Sequence, residues 1–92
     1  MLELVATSRF RRDLKTALRR GWDTQELDRA ITMLQKRQPL PAKYEDHGLT
    51  GDRRGQRDLH VRPDWVLIYR IDRARQLLRL ERTGSHSDLG LD

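Results

Sequence analysis

Between Trp65 and Ile71 the chain reads Trp-Val-Leu-Ile-Tyr-Arg-Ile, and no other stretch restricts the possible folds so tightly. Side chains alternate across a strand, so Trp65, Leu67, Tyr69 and Ile71 share one face while Val66, Ile68 and Arg70 share the other. Both faces are largely apolar, the pattern of a strand with neighbours on either side. Pro63-Asp64 just ahead marks a turn. Before it, residues 57–62 set Leu59 and Val61 against Asp58, His60 and Arg62. After a second turn at Asp72-Arg73-Ala74-Arg75, residues 76–82 set Leu78 and Leu80 against Leu77, Arg79 and Glu81. Three strands in sequence, joined by short turns, make an antiparallel sheet. By the same parity His60 points away from the face that Leu59 and Val61 bury, and Arg82 falls on the side of Leu78 and Leu80.

The half of the chain before these strands is helical in period. Leu2 to Ala6 is a short β-compatible run, and Thr7-Ser8 after it offers a helix cap. Phe10, Leu14, Ala17 and Leu18 then form one apolar stripe, with Gly21 placed to end the helix. Asp23-Thr24-Gln25-Glu26 resembles a capping box, and Leu27, Ala30, Ile31 and Leu34 follow as the core face of a second helix that Pro39 stops. A connection of about two residues makes the pair an antiparallel hairpin. The expected fold is therefore α+β, with an antiparallel four-stranded sheet packed on one face by an N-terminal helical hairpin in the order β-α-α-β-β-β. It occupies residues 1–92 as one domain and leaves the second sheet face open to a ligand. Residues 38–55 show neither period and contain Pro39, Pro41, Gly48, Gly51 and Gly55. A loop of that length is usually functional or disordered, and Tyr44 and His47 favour function.

Composition narrows the partners. The net charge is +5, and sixteen of the nineteen basic residues are arginine, whose planar fork pairs with phosphate and stacks on bases. RNA, DNA or an acidic protein suits such a surface. The absence of cysteine rules out disulfides, thiolate metal sites and a cysteine nucleophile. No apolar run approaches a membrane span, and the first residues lack the pattern of a signal peptide, so a cytoplasmic protein is expected.

His47, His60 and His86, with Asp58 and Asp64, are the groups able to move protons near neutrality beside orienting carboxylates. RNA cleavage without metal needs a base for the ribose 2′-hydroxyl, an acid for the departing 5′-oxygen and a cation for the charge growing on the phosphoryl oxygens. Two histidines and an arginine suffice. Bland alternatives accompany each residue: a surface histidine, a turn role for Asp64 after Pro63, a core role for Trp65 alternating with Leu67 and Tyr69. A metal site would use the same histidines and aspartates, but they lack the close spacing of metal helices and sit among arginines.

Four pieces in register carry a resemblance. Leu-Pro-Ala-Lys-Tyr-Glu-Asp-His-Gly-Leu-Thr-Gly at 40–51, Gly-Gln-Arg-Asp-Leu-His at 55–60, Pro-Asp-Trp-Val-Leu-Ile-Tyr at 63–69 and Glu-Arg-Thr-Gly-Ser-His at 81–86 closely resemble the YafQ branch of the RelE/ParE toxin superfamily. The resemblance implies a bacterial type II toxin, a ribosome-dependent endoribonuclease that cuts mRNA codons in the A site. It also implies a 2′,3′-cyclic phosphate and a 5′-hydroxyl as products, no metal or other cofactor, and a DinJ-like antitoxin as partner. Carried over by position, His47, His60, Asp64, Arg82 and His86 match the catalytic set, with His86 as general acid, His60 or Asp64 as base and Arg82 stabilising charge. Asp58 would orient His60. Arg53, Arg54, Arg57 and Trp65 are the substrate-binding candidates, and the first helix and residues 51–57 would dock on ribosomal RNA. The family tail usually carries an aromatic a few residues after the last histidine, where this chain has Gly90 and then Leu91-Asp92. Two other functions fit the scaffold: a ParE-like inhibitor of DNA gyrase, against which three histidines argue, and a non-catalytic RNA-binding module.

Overall fold

The computed structural model describes residues 1–91. Strand β1 (Glu3–Ala6) leads into helix α1 (Ser8–Arg19), where the Thr7 hydroxyl accepts from the Phe10 N–H at 3.1 Å and so caps the helix. Gly21, at φ 77°, turns the chain out of α1, and Asp23 caps α2 (Thr24–Gln35). Leu27, Ala30, Ile31 and Leu34 of α2 are all buried, as their spacing predicts. Of the α1 stripe, Phe10 and Ala17 are buried and Leu14 packs beside them, but Leu18 is 55% exposed. Phe10, Leu14 and Ala17 already span the arc that meets the sheet, and Leu18 lies beyond its edge.

Strands β2 (His47–Gly48), β3 (Arg57–Arg62), β4 (Trp65–Asp72) and β5 (Leu77–Gly84) complete a sheet in the order β1-β5-β4-β3-β2, with β4 at its centre. The sheet thus has five strands rather than four, and it is mixed, because β1 runs parallel to β5 with Glu3 opposite Leu77. Two residues of β2 are too few to show alternation, and a parallel partner so far along the chain leaves no turn to announce it. The segment between α2 and β3 is also ordered, with single 3-10 turns at Ala42–Tyr44 and Gly51–Arg53 on either side of β2.

One core lies between sheet and helices, where Leu59, Leu67, Tyr69, Leu78 and Leu80 meet Phe10 and the α2 face. A second, smaller core forms on the opposite face, which is not left open as expected. Val66 and Ile68 there are covered by Leu89, with Leu49 and Leu91 packed against them. Residues 86–90 form the turn that brings Leu89 over the sheet, and Asp92 of the expected tail lies outside the described residues. Among the described residues no helix is long and apolar enough to cross a membrane.

Candidate active site

The open part of the second face carries a row of imidazoles. His47 comes from β2, His60 from β3 opposite Val66, and His86 from the turn just after β5. The rings of His47 and His60 stack with centroids 6.3 Å apart, and those of His60 and His86 lie 5.1 Å apart. His60 Nε2 and His86 Nε2 approach to 3.1 Å. His60 therefore faces away from the helices, as the alternation predicts.

Asp64, in the turn between β3 and β4, fixes His86. Its Oδ1 accepts the backbone N–H of His86 at 2.9 Å and the ring Nδ1–H at 2.7 Å. A carboxylate accepts only, so Nδ1 must carry a proton and Nε2 is the nitrogen turned to His60. These two hydrogen bonds hold the Asp64 carboxyl below the usual carboxylate range, the backbone bond being the larger cause. A carboxylate so stabilised is a poor base, and its geometry suits orientation of His86.

Asp58 lies beside His47 rather than orienting His60. The two residues are cross-strand partners, and Asp58 Oδ1 sits 2.9 Å from His47 Nδ1. That nitrogen has one proton, and it points to the Glu45 carbonyl at 2.9 Å. Asp58 Oδ1 stands beside the N–H bond rather than along it and makes no hydrogen bond within the protein, although Asp58 is only 5% exposed. Burial pushes its carboxyl upward, with His47, His60 and His86 pulling the other way. An acid raised by folding contributes most stability below its unfolded value of ~3.9 and loses that contribution as pH rises through the folded value. Asp58→Asn should therefore gain on wild type in urea denaturation between pH 3 and pH 7. A gain for wild type over that range would contradict the upward shift.

Glu45 was not singled out by the sequence, because a segment without period does not say which side chains converge. Besides its carbonyl contact with His47, its carboxylate lies 3.7 Å from His60 Nδ1, a buried nitrogen with no hydrogen-bond partner in the protein.

Arg82 reaches the second face after all. A bulge in the β4–β5 pairing puts Tyr69 opposite Leu80 but Ile68 opposite Arg82, reversing the parity of the strand end. Arg82, Ile68, Asp58 and His47 thus form one cross-strand row. The Arg82 guanidinium itself turns to Asp13 of α1.

The substrate-binding candidates divide. Arg54 is exposed. Arg53 donates to the Leu89 carbonyl at 2.7 Å and so pins the tail. Arg57 stands opposite Tyr69, on the helix side of the sheet, and pairs with Asp46 at 2.9 Å while the Tyr69 hydroxyl bonds the same carboxylate. Trp65 is 2% exposed, packs against Trp22 with centroids 5.0 Å apart and donates its indole N–H to Thr83 at 2.9 Å. Neither Arg57 nor Trp65 shares the histidine face.

The helical hairpin covers one sheet face and the imidazoles gather on the other, and a sequence model for a class of toxins, bacterial toxin of type II toxin-antitoxin system, YafQ, matches residues 2–90 of this chain. The chain belongs to the YafQ family. The mRNA interferase toxin YafQ of Escherichia coli K12 is 44% identical over 88 residues, covering 95% of this chain and 94% of that protein. YafQ in the crystal structure of the E. coli DinJ-YafQ toxin-antitoxin complex is 42% identical, with TM-score 0.86 over 96% of both chains. A metal-bound toxin from Helicobacter pylori is 38% identical, with TM-score 0.92 over 97% of this chain and 99% of that one.

Proposed function

We propose that this toxin is an endoribonuclease, a single catalytic domain that cuts mRNA codons in the ribosomal A site by acid-base chemistry. The observation that carries the proposal is the 3.1 Å approach of His60 Nε2 to His86 Nε2 with Asp64 fixing the far side of His86. His60 Nε2 takes the proton of the ribose 2′-hydroxyl. The 2′-oxygen bonds to phosphorus, the bond from phosphorus to the 5′-oxygen breaks, and His86 Nε2–H protonates the leaving oxygen. A 2′,3′-cyclic phosphate and a 5′-hydroxyl result. His60 then holds the proton that His86 lost, and the short contact between the rings returns it. Glu45 stands where it offsets the charge on His60, and His47 holds the scissile phosphate. Arg82 stabilises the charge on the phosphoryl oxygens.

Arg54 and the arginines of α1 supply docking to ribosomal RNA, and a DinJ-like antitoxin neutralises the same basic surface in the cytoplasm. No metal takes part.

The test is single-turnover cleavage of an mRNA held in the A site of purified ribosomes, beside the same mRNA free. Cleavage confined to the ribosome, undiminished by a chelator and falling steeply as salt rises, is expected, since each phosphate contact releases counterions. Loss of activity in chelator would replace the acid-base mechanism with metal chemistry, and a flat salt response would remove the docking surface. No cleavage in either setting would turn attention to gyrase supercoiling.

A further inference from the structure

α1 is strongly basic, and the one acid among its residues, Asp13, is spent on neither helix capping nor a neighbour on its own helix. Its Oδ2 accepts Arg82 Nε at 2.7 Å and its Oδ1 accepts Arg82 Nη2 at 3.1 Å. Oδ2 also accepts the backbone N–H of Thr83 at 3.1 Å, which ties the carboxylate to β5 itself. Such a two-point grip fixes the plane of a guanidinium, where a single contact would leave it free to rotate. It occupies the edge formed by Nε and Nη2. The opposite edge, Nη1 with the second Nη2 hydrogen, has no partner among the described residues, and the side chain is 27% exposed. Two N–H groups on that edge match two non-bridging oxygens of a phosphate.

We propose that Asp13 is a positioning residue, which holds Arg82 so that its free edge meets the scissile phosphate beside the histidine row. The proposal rests on the nuclease reading above and adds to it the part of α1 that serves the reaction rather than docking. Two strand spacings of about 4.8 Å separate the backbone of Arg82 from that of Asp58 in their shared row, within the span of an arginine side chain and a bound phosphate. A second clasp just past the end of the same helix, Arg20 to Asp88 at 2.6 Å, steadies the turn that carries His86, because Asp88 also accepts the Ser85 N–H at 2.9 Å.

The experiment is a double-mutant cycle read by single-turnover cleavage on the ribosome, with binding to the programmed ribosome measured alongside. Asp13→Asn keeps an acceptor for Thr83 and is expected to slow the cleavage step roughly tenfold or more, the scale of a misplaced reacting geometry, while binding changes little. In the Arg82→Ala background the same substitution should cost nothing further, because Asp13 acts only through that guanidinium. Arg82→Lys, which keeps the charge but cannot be gripped at two points, should lose about as much as Asp13→Asn and guards against a folding defect in the latter. Losses that multiply in the double variant, wild-type cleavage by Asp13→Asn or Arg82→Lys, or faster cleavage by Asp13→Asn would each overturn the proposal. Wild-type protein that fails to cleave at all would instead overturn the nuclease reading beneath it.

Discussion

His86→Ala is expected to slow single-turnover cleavage in the A site by on the order of a hundredfold or more, the range a lost general acid occupies. The size follows from how little else can replace it. Asp64 commits one ring nitrogen of His86 and aims the other at the site, so removing the ring removes both a proton and its direction. His60 is 3.1 Å away, but in the proposed role of base it is engaged with the 2′-hydroxyl proton while the leaving oxygen needs one. His86 belongs to neither hydrophobic core, so the variant should fold, and unchanged thermal unfolding would show that it does. A loss below about tenfold would move the acid elsewhere, with His47 the first alternative.

Trp65→Ala should cost about 3–5 kcal/mol of folding stability, the usual range for truncating a buried aromatic. Its ring fills the space between Trp22 and the sheet, and its N–H satisfies the Thr83 hydroxyl, which in turn donates to the Val66 carbonyl at 2.8 Å. Alanine would leave a cavity and break that chain of hydrogen bonds at one end. Urea denaturation measures the loss, and Trp65→Phe, which fills most of the volume but lacks the N–H, should fall between the two. Were Trp65 a platform for a base, the result would be reversed: stability kept, RNA affinity lost. Equal stability of Trp65→Ala and wild type would return the residue to the binding surface.

What the sequence showed and what it hid divide along physical lines. The central place of β4 was legible because seven residues with apolar side chains on both faces admit few alternatives, and the helical hairpin because its caps and stripes agree. Placement of His60 on the free face followed from parity alone. Parity failed at Arg82, where one bulge residue reverses the face of everything beyond it and leaves no mark in composition. The motif match kept Arg82 in the candidate set when alternation argued against it. Glu45 and Asp13 were invisible for a different reason: each acts through a partner far along the chain, His60 for one and Arg82 for the other, and no local period encodes such a meeting. The direction of Arg57 was hidden because charge says nothing of direction. Its odd position turns it to the helix side, where Asp46 and Tyr69 take it up.

The parallel pairing of β1 with β5 ties the start of the fold to its finish. Strand β1 has no partner until residues 77–80 have been made, and the turn bearing His86 follows β5 directly. Contacts so distant along the chain form late, after the cost of closing the intervening loop has been met. Completion of the sheet and placement of His86 are then nearly one event. A copy whose synthesis stops short of Leu77 lacks both β5 and His86.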